Sequence, residues 1–295
     1  MTQENALVCT YGPSGSGKTT DMGYSFPTAL FIATPGALHC VRHVCGYDPV
    51  RRDASTIREL NAILSKLTKT QEFSTIVIDD FSFMAEKTVA YYQEKFSRKG
   101  QGWQMWSSVY SDVLEFRELA RQANCHVVFN CWEQPPKTQD SGQFIKGGPL
   151  MTGKLSKIIP TVCDIVLRCD RDPMRKPWSG IYRCSFDNNY VMKDRFDKCY
   201  TLSPAPMNLA EILRASGYEI ARHPSHPWQE DAVEELSQHI ATLTPTSFTQ
   251  TVNQLFGQLL EAGIDPKAAR WTLRDALDRV VIRRAISTQN SRFLA

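Results

Sequence analysis

The sequence predicts an α/β fold with a mostly parallel sheet flanked by helices, followed by a small helical domain. Two observations support this prediction. Short apolar runs that suit buried strands alternate with longer segments whose apolar residues recur at helical spacing. The first apolar run also leads through a glycine-rich turn into a helical segment. Strands and helices that alternate in this way build a parallel sheet with helices on both faces.

Three strands and two helices are predicted in the amino-terminal part of the chain. Residues 6–11 are apolar, and the helix after the glycine-rich turn ends near Pro27, because proline cannot continue a helix. Residues 29–33 form a second apolar run, which Thr-Pro-Gly closes. Apolar residues at helical spacing predict a helix over 56–68. Residues 74–79 are mostly β-branched, which predicts a third buried strand.

The same alternation continues further along the chain. A long helical stretch, over residues 83–97 and 107–122, precedes an apolar strand at 126–130. Residues 135–153 are rich in glycine and polar side chains and are expected to form a loop. Two further strand candidates follow, at residues 164–168 and 180–186.

Three regions are predicted: an α/β core over residues 1–204, a linker over 205–227 and a helical domain over 228–295. Prolines at both ends of the linker interrupt regular structure. The helical domain carries a basic stripe of arginines at helical spacing: Arg270, Arg274, Arg279 and Arg283. Such a stripe suits a DNA-binding face, a surface for an acidic neighbour, or simple solvent exposure.

Composition indicates a reduced, cytoplasmic protein with no membrane span. No apolar run is long enough to cross a bilayer, and the first residues lack the features of a signal peptide. The nine cysteines contain no Cys-x-x-Cys pair, as expected for free thiols. One cluster leaves two interpretations open, a metal site or the favoured packing of helix-start residues: His39, Cys40, His43 and Cys45.

Residues 12–19 read Gly-Pro-Ser-Gly-Ser-Gly-Lys-Thr and match G-x-x-x-x-G-K-[ST] without deviation. In this motif backbone N–H groups face a phosphate, Lys18 reaches the β and γ phosphates, and the Thr19 hydroxyl ligates Mg²⁺. The following helix presents its positive end to the anion. We therefore expect ATP and Mg²⁺ as cofactors, with the phosphates held by Gly12, Pro13, Ser14, Gly15, Ser16, Gly17, Lys18, Thr19 and Thr20.

Two carboxylates end the strand predicted at residues 74–79. Asp79 follows apolar and β-branched residues and is expected to act with Thr19 at the metal, orienting Mg²⁺ and its water. A cap on the next helix is the alternative for Asp79. For Asp80, a helix cap, a second metal-site carboxylate and a catalytic base all remain open.

Other classes of nucleotide-binding protein lack their signatures here. A GTPase would carry Asn-Lys-x-Asp after a strand, and a small-molecule kinase would carry an arginine-rich lid, and neither is evident. The polar residues that end the strand at 126–130 instead resemble the γ-phosphate sensor at a strand end in RecA-type ATPases, which implies Asn130, Glu133 and Gln134 as candidates. The same residue types also form ordinary turns.

Five segments occur in a characteristic order: residues 12–19, 25–32, 76–79, 148–154 and 193–195. In this order they resemble the phage-encoded RecA-core ATPases associated with single-strand annealing recombination, over roughly residues 5–200. The resemblance implies a RecA-like P-loop NTPase core that assembles into a ring or filament on single-stranded DNA. It also implies a bacterial host cell and, as a further partner, a single-strand-binding or annealing protein.

Lys193 and Arg195 resemble the Lys-x-Arg signature of replicative helicases and RadA-type branch-migration proteins. In those proteins both cations reach the γ-phosphate bound by the neighbouring subunit. Residues i and i+2 of an extended segment face the same side, so both side chains can approach one anion. Solvated surface cations are the alternative, and Arg183 is the second candidate for the trans-acting arginine.

Loops after the sensor strand hold single-stranded DNA in RecA-type filaments and rings. The resemblance therefore implies DNA contacts for Lys137, Phe144, Lys146 and Lys154. Lysines pair with phosphates, and an exposed aromatic ring can stack on a base. A solvated surface loop is the alternative.

One position departs from the RecA pattern, in which a glutamate after the second strand activates the attacking water. Pro35 stands in its place. Either Asp80 or Glu133 positions the water, or ATP is bound well and hydrolysed slowly, and we favour slow hydrolysis. The expected catalytic set is Lys18, Asp79, Asp80, Glu133, Lys193 and Arg195.

The function predicted from these residues is ATP binding coupled to action on single-stranded DNA in phage recombination or replication. Two alternatives remain open: a nucleotide-gated assembly or regulatory module with little turnover, and a small-molecule kinase. The number of subunits in the assembly is not predicted.

Overall fold

The computed structural model describes the α/β core and parts of the carboxyl-terminal region. The described residues are 5–70, 72–98, 100–172, 180–185, 187–195, 197, 199, 202–220, 237–238, 240–241, 248–261, 273–274, 276–278 and 280–281.

A single mixed sheet forms the centre of the described chain. Its six parallel strands, numbered in chain order, are β1 (Leu7–Gly12), β2 (Leu30–Ala33), β3 (Arg51–Asp53), β4 (Thr75–Asp79), β5 (His126–Gln134) and β9 (Ile165–Arg171). Two antiparallel strands extend one edge, β10 (Gly180–Arg183) and β12 (Ala205–Pro206). The strand order is β12-β10-β9-β1-β5-β4-β2-β3.

Four short strands complete the sheet and its surroundings. β6 (Lys137–Thr138) and β7 (Phe144–Ile145) pair with each other as a hairpin. β8 (Gly148–Pro149) pairs with the end of β5, and β11 (Lys193–Asp194) pairs with the beginning of β9.

Helices cover both faces of the sheet. One face packs against α2 (Ile57–Leu67), α3 (Phe81–Lys95), α4 (Gly102–Gln122) and α5 (Leu155–Val162). The other face packs against α1 (Lys18–Ser25) and α6 (Leu209–Ala215). Side chains of β1 alternate between these two cores, with Leu7 and Cys9 in the first and Val8 in the second, as the period of two of a strand requires. A further helix spans Phe248–Glu261.

The predicted α/β class, a mostly parallel sheet flanked by helices, is confirmed. Residues 135–153, however, are not simply a loop, because they contain β6, β7 and β8. No apolar pattern predicts β3, because its three residues are charged and exposed. Helix α5 was not predicted from the sequence, because Pro160 lies inside it and proline usually interrupts a helix.

The core extends past residue 204, where the sequence predicts that a linker begins. Pro206 of β12 pairs with Ile181, and the apolar side chains of α6 are buried. Of the interpretations of the basic stripe, simple solvent exposure is wrong for Arg274, whose side chain is only 11% exposed and pairs with the carboxylate of Asp21. Arg270, Arg279 and Arg283 lie outside the described residues. Among the helices that the structure describes, none is long and apolar enough to cross a membrane.

Candidate nucleotide-binding site

Residues 12–19, the phosphate loop, join β1 to α1 at the carboxyl edge of the sheet. Gly15 and Gly17 have φ angles of 74° and 97°, which residues with a Cβ rarely adopt, so glycine permits the turn. The Lys18 Nζ donates hydrogen bonds to the carbonyl oxygens of Gly12, at 2.8 Å, and Pro13, at 3.0 Å. The ammonium group therefore lies across the loop, within reach of an anion that the loop would hold.

A chain of hydrogen bonds links the phosphate loop to β4. The Thr19 hydroxyl donates to Asp79 Oδ2 at 2.7 Å. On its other side, Asp79 Oδ1 accepts a bond from Asn130 Nδ2 at 3.1 Å. Asn130 Oδ1 in turn accepts from the Thr10 hydroxyl at 2.5 Å. The strand order explains this chain, because β5 lies between β1 and β4 and places Asn130 between Thr10 and Asp79.

The donor set at Thr19 and Asp79 fits Mg²⁺. Magnesium prefers hard oxygen ligands and usually keeps several waters, so one hydroxyl with a carboxylate behind it is an appropriate set. Asp79 is 4% exposed, and burial raises its pKa, while the hydrogen bonds from Thr19 and Asn130 oppose that rise. A bound cation would favour the charged carboxylate further.

Asp80 lies next to Asp79 and caps α3. Its carboxylate accepts a hydrogen bond from the Phe83 amide at 3.3 Å, so of the two neighbouring carboxylates it is Asp80 that takes the capping role. Burial, and then the charge of Asp79, raise its pKa to about 6. Asp80 therefore changes protonation state close to neutral pH.

The comparison with known families agrees with this geometry. Residues 4–196 match the model of a family described as an AAA domain. The chain belongs to the AAA domain family. A search of curated proteins found no match for this AAA protein. Among solved structures it is similar to one titled "Crystal structure of the RadB recombinase", at 18% identity and a TM-score of 0.40, covering 65% of this chain and 86% of that chain.

The end of β2 in the AAA protein lies beside Asp79. Ala33 pairs with Asp79, and the Thr34 amide donates to the Asp79 carbonyl oxygen at 3.1 Å. Pro35 follows at once and is exposed. The residue that follows the end of β2, beside Asp79, thus carries no acid or base.

Glu133 is held by Arg168. The Arg168 Nε donates to Glu133 Oε2 at 2.8 Å, and their side chains are 14% and 10% exposed. The guanidinium also lies 3.8 Å from the centroid of the Tyr190 ring. Asp170 accepts a bond from Arg168 Nη1 at 3.1 Å. A catalytic role for Glu133 stays a prediction, and it would have to compete with this pairing.

Lys193 and Arg195 lie at the amino edge of the sheet, opposite the phosphate loop of the same chain. Lys193 Nζ donates to three carbonyl oxygens at the end of α5, of which Cys163 is nearest at 2.6 Å. Arg195 pairs with Asp164 at 3.0 Å, and its side chain is 45% exposed. Arg183, the second candidate, pairs instead with Asp170 at 3.0 Å. The trans role of these residues stays a prediction.

The four predicted DNA-binding residues lie beyond the carboxyl edge, or near it, on the side of the phosphate loop. Lys137 and Phe144 belong to the β6–β7 hairpin, which follows the end of β5, and Phe144 is 48% exposed. Lys146 is exposed and donates to the Asp187 carbonyl oxygen at 3.0 Å. Lys154 is exposed just before α5. DNA contact by this set stays a prediction.

The histidine–cysteine cluster is not arranged as a metal site in the part of the chain that the structure describes. The His39 and His43 rings stack with their centroids 6.3 Å apart, and Cys45 Sγ lies 3.5 Å from the Thr20 carbonyl oxygen. Within the ranges that the structure describes, no group of three or more His, Cys, Asp or Glu side chains is arranged to hold a metal. The favoured packing interpretation agrees with these contacts.

Two arginines near the loop were not singled out from the sequence. Arg168 holds Glu133, and Arg171 donates a hydrogen bond to the Gly15 carbonyl oxygen. Both belong to β9, the neighbour of β1, and Arg171 reaches the phosphate loop from this adjacent strand. A charged residue inside an apolar strand, as at Arg168, is the signal that could have drawn attention to them.

Proposed function

We propose that this AAA protein is a RecA-like ATPase that binds MgATP at the phosphate loop and acts on single-stranded DNA. We further propose that it assembles with ATP and serves phage recombination or replication. The observation that carries the proposal is the hydrogen-bonded link from Thr19 through Asp79 to Asn130, next to the Lys18 ammonium. That link joins the phosphate loop to two strands whose ends face the same nucleotide.

Nucleotide binding assigns a role to each residue of the site. The loop amides and Lys18 hold the phosphate oxygens. Thr19, with Asp79 behind it, would hold Mg²⁺, which when bound would screen the charge of the phosphates. Asn130 fixes the orientation of the Asp79 carboxylate, since it bonds the oxygen that Thr19 does not.

Asp80 is the residue that we propose as base. The attacking water forms a bond to the γ-phosphorus, the bond to the bridging oxygen breaks, and the water proton passes to an Asp80 carboxylate oxygen. A pKa of about 6 suits a group that accepts a proton near neutral pH. Pro35 supports slow turnover, because the neighbouring strand end contributes no second carboxylate.

A trans-acting cation is supported better at Arg195 than at Lys193. Asp164 also accepts two hydrogen bonds from Arg121, at 2.7 and 2.8 Å, and one from the Leu7 amide. Arg195 can therefore leave Asp164 without exposing an unpaired buried carboxylate. Lys193 would have to give up three carbonyl partners, so we propose that it positions the segment instead.

Single-stranded DNA binding rests on the exposed hairpin and its lysines. Lys137, Lys146 and Lys154 supply positive charge, and the exposed Phe144 ring supplies a surface on which a base can stack. These residues follow the strand that carries Asn130. Nucleotide state and DNA contact can thus be coupled through β5.

Turnover measured with and without single-stranded DNA tests the proposal, together with a mixing experiment. Arg195→Ala should bind MgATP and lose turnover. Mixed with Lys18→Ala it should recover part of the activity, since some interfaces then pair an intact phosphate loop with an intact Arg195. No recovery in demonstrated hetero-oligomers would contradict the trans role.

A nucleotide-gated module with little turnover is the second candidate, and Pro35 is the observation that favours it. Assembly that depends on MgATP, with turnover undetectable even on DNA, would support this candidate over the ATPase.

A further inference from the structure

Arg274 comes from the carboxyl-terminal region but is buried against the helix that follows the phosphate loop. Its Nη2 lies 2.9 Å from Asp21 Oδ1, and the two side chains are 11% and 1% exposed. The guanidinium also lies 4.6 Å from the centroid of the Tyr24 ring. Asp278 Oδ2 stands 3.7 Å from Arg274 Nε. A charge buried this deeply needs partners on several sides, and these contacts supply them.

The two residues that accept hydrogen bonds from Arg274 both lie close to Gly17, through atoms other than the acceptors. Arg274 donates to the carboxylate of Asp21 and to the Met207 carbonyl oxygen. The Asp21 amide donates to the Gly17 carbonyl oxygen at 2.9 Å. A Cβ built on Gly17 would stand 3.8 Å from the Met207 sulfur, so the Met207 side chain lies beside this glycine.

Gly17 is the residue at which the phosphate loop turns into α1. Its φ of 97° lies in the left-handed region, and its neighbour Lys18 begins the helix. A shift of α1 or of Met207 at Gly17 would therefore also shift the loop amides and the Lys18 side chain.

Asp21 is further held by groups from the core. Its Oδ2 accepts a bond from the Tyr182 hydroxyl at 2.7 Å and from the Leu209 amide at 3.3 Å. Arg274 thus completes a set of contacts that joins α1, β10, the start of α6 and the carboxyl-terminal region. Burial raises the pKa of Asp21, and the charge of Arg274 is the largest influence that opposes this rise.

We propose that Arg274 is a positioning residue for the phosphate loop, so that this one residue of the carboxyl-terminal region contributes to the nucleotide site. Arg274 does not touch the nucleotide in this inference; it acts through Asp21 and Met207 on Gly17. The inference rests on the proposed function only for its effect on ATP affinity. Its effect on the loop itself can be measured without nucleotide.

Three variants of the full-length protein test the inference. Arg274→Met removes the contacts, and Arg274→Lys keeps the charge but cannot bond Asp21 and Met207 with one planar group. Asp21→Asn combined with Arg274→Met does not leave the Asp21 carboxylate buried without its counter-ion, so it reduces the risk of misfolding. Arg214→Met is the matched control, because Arg214 is 19% exposed and pairs with Glu211 on the same face of the sheet.

Hydrogen exchange of the nucleotide-free protein and calorimetry with MgATP are the two measurements. We expect amides of residues 15–20 to exchange at least about fivefold faster in Arg274→Met and in the double variant, with β5 and α3 unchanged. We expect MgATP affinity to fall about tenfold in the same two variants and less in Arg274→Lys. Arg214→Met should match the wild type in both.

Two results would overturn the inference. One is a folded double variant whose loop exchanges as in the wild type and whose MgATP affinity is unchanged. The other is faster exchange spread evenly over the whole core, which would make Arg274 a general stabilising residue. Failure of the wild type to bind MgATP would contradict the proposed function instead, and the exchange measurement would still decide the inference.

Discussion

The Thr19 hydroxyl donates a 2.7 Å hydrogen bond to Asp79, a residue 60 positions further along the chain. Thr19 belongs to the first turn of α1, and Asp79 is the last residue of β4. Their contact joins the phosphate loop to the carboxyl end of β4. β1, which leads into the phosphate loop, and β4 are not neighbours in the sheet, because β5 lies between them. The contact therefore depends on the order of the strands.

Asp79→Asn should remove most of the benefit that Mg²⁺ brings to ATP binding. The amide keeps the size of the side chain but loses the negative charge that stabilises the cation. We expect the ratio of ATP affinities with Mg²⁺ and with EDTA to fall at least about tenfold. Asp48→Asn, which changes an exposed carboxylate paired with Arg42, is the control. An unchanged ratio in Asp79→Asn would remove Asp79 from the metal site.

Asp80 should impose an acid limb on turnover. The pKa of its carboxyl is raised to about 6, so the group is mostly protonated below that pH and ionised above it. A base must be ionised, so kcat/KM should rise with pH through about 6 and then level off. Asp80→Asn should abolish turnover without weakening the cap of α3, because asparagine caps helices as well as aspartate. A variant with wild-type turnover and the same acid limb would exclude Asp80 as base.

The parts of this site that are continuous in sequence could be predicted, and the contacts between distant segments could not. The phosphate loop is one continuous motif, so residues 12–19 could be identified together. Asp79 could be placed at a strand end from the apolar run before it. The link through Asn130 needs the position of β5 between β1 and β4, which strand spacing alone does not determine.

The buried position of Arg274 could not be predicted from the sequence. Its spacing on a predicted helix indicated an exposed stripe, because arginine is rarely buried without a partner. The partner is Asp21, which lies 253 positions away. A buried ion pair between such distant segments leaves no local pattern in either of them.

Glu133→Gln should lower the free energy of unfolding and change turnover little. The change weakens a mostly buried ion pair with Arg168 and leaves Asp170 as the remaining carboxylate partner. We expect a loss of about 2 kcal/mol in the free energy of unfolding, below the usual range for a buried pair because that second partner remains. Turnover should stay within about threefold of the wild type.

Glu118→Gln is the control for that measurement, since Glu118 forms an exposed pair with Arg117. Its stability should not change measurably. Loss of turnover in Glu133→Gln, with the unfolding transition unmoved, would restore Glu133 as the residue that positions water.

Neutralising Lys137 and Lys146 together should weaken single-stranded DNA binding and flatten its salt dependence. Each phosphate contact releases counterions, so two lost contacts should reduce the slope of log K against log salt by about 1.4. Lys66→Ala combined with Lys69→Ala is the matched control, because both lysines are exposed near the end of α2. An unchanged slope in the Lys137 and Lys146 variant would move the DNA contact away from the hairpin.

Calorimetric titration of MgATP into the wild type and into Lys18→Ala is the decisive measurement for nucleotide binding at the phosphate loop. Lys18 lies across the phosphate loop, and no other side chain of residues 12–19 is cationic. We predict saturable binding by the wild type with a Kd of about 10 μM or tighter, and no saturation of Lys18→Ala up to about 1 mM. Lys66→Ala should bind as the wild type does. Wild-type affinity in Lys18→Ala, or a wild type that does not bind MgATP, would contradict the account.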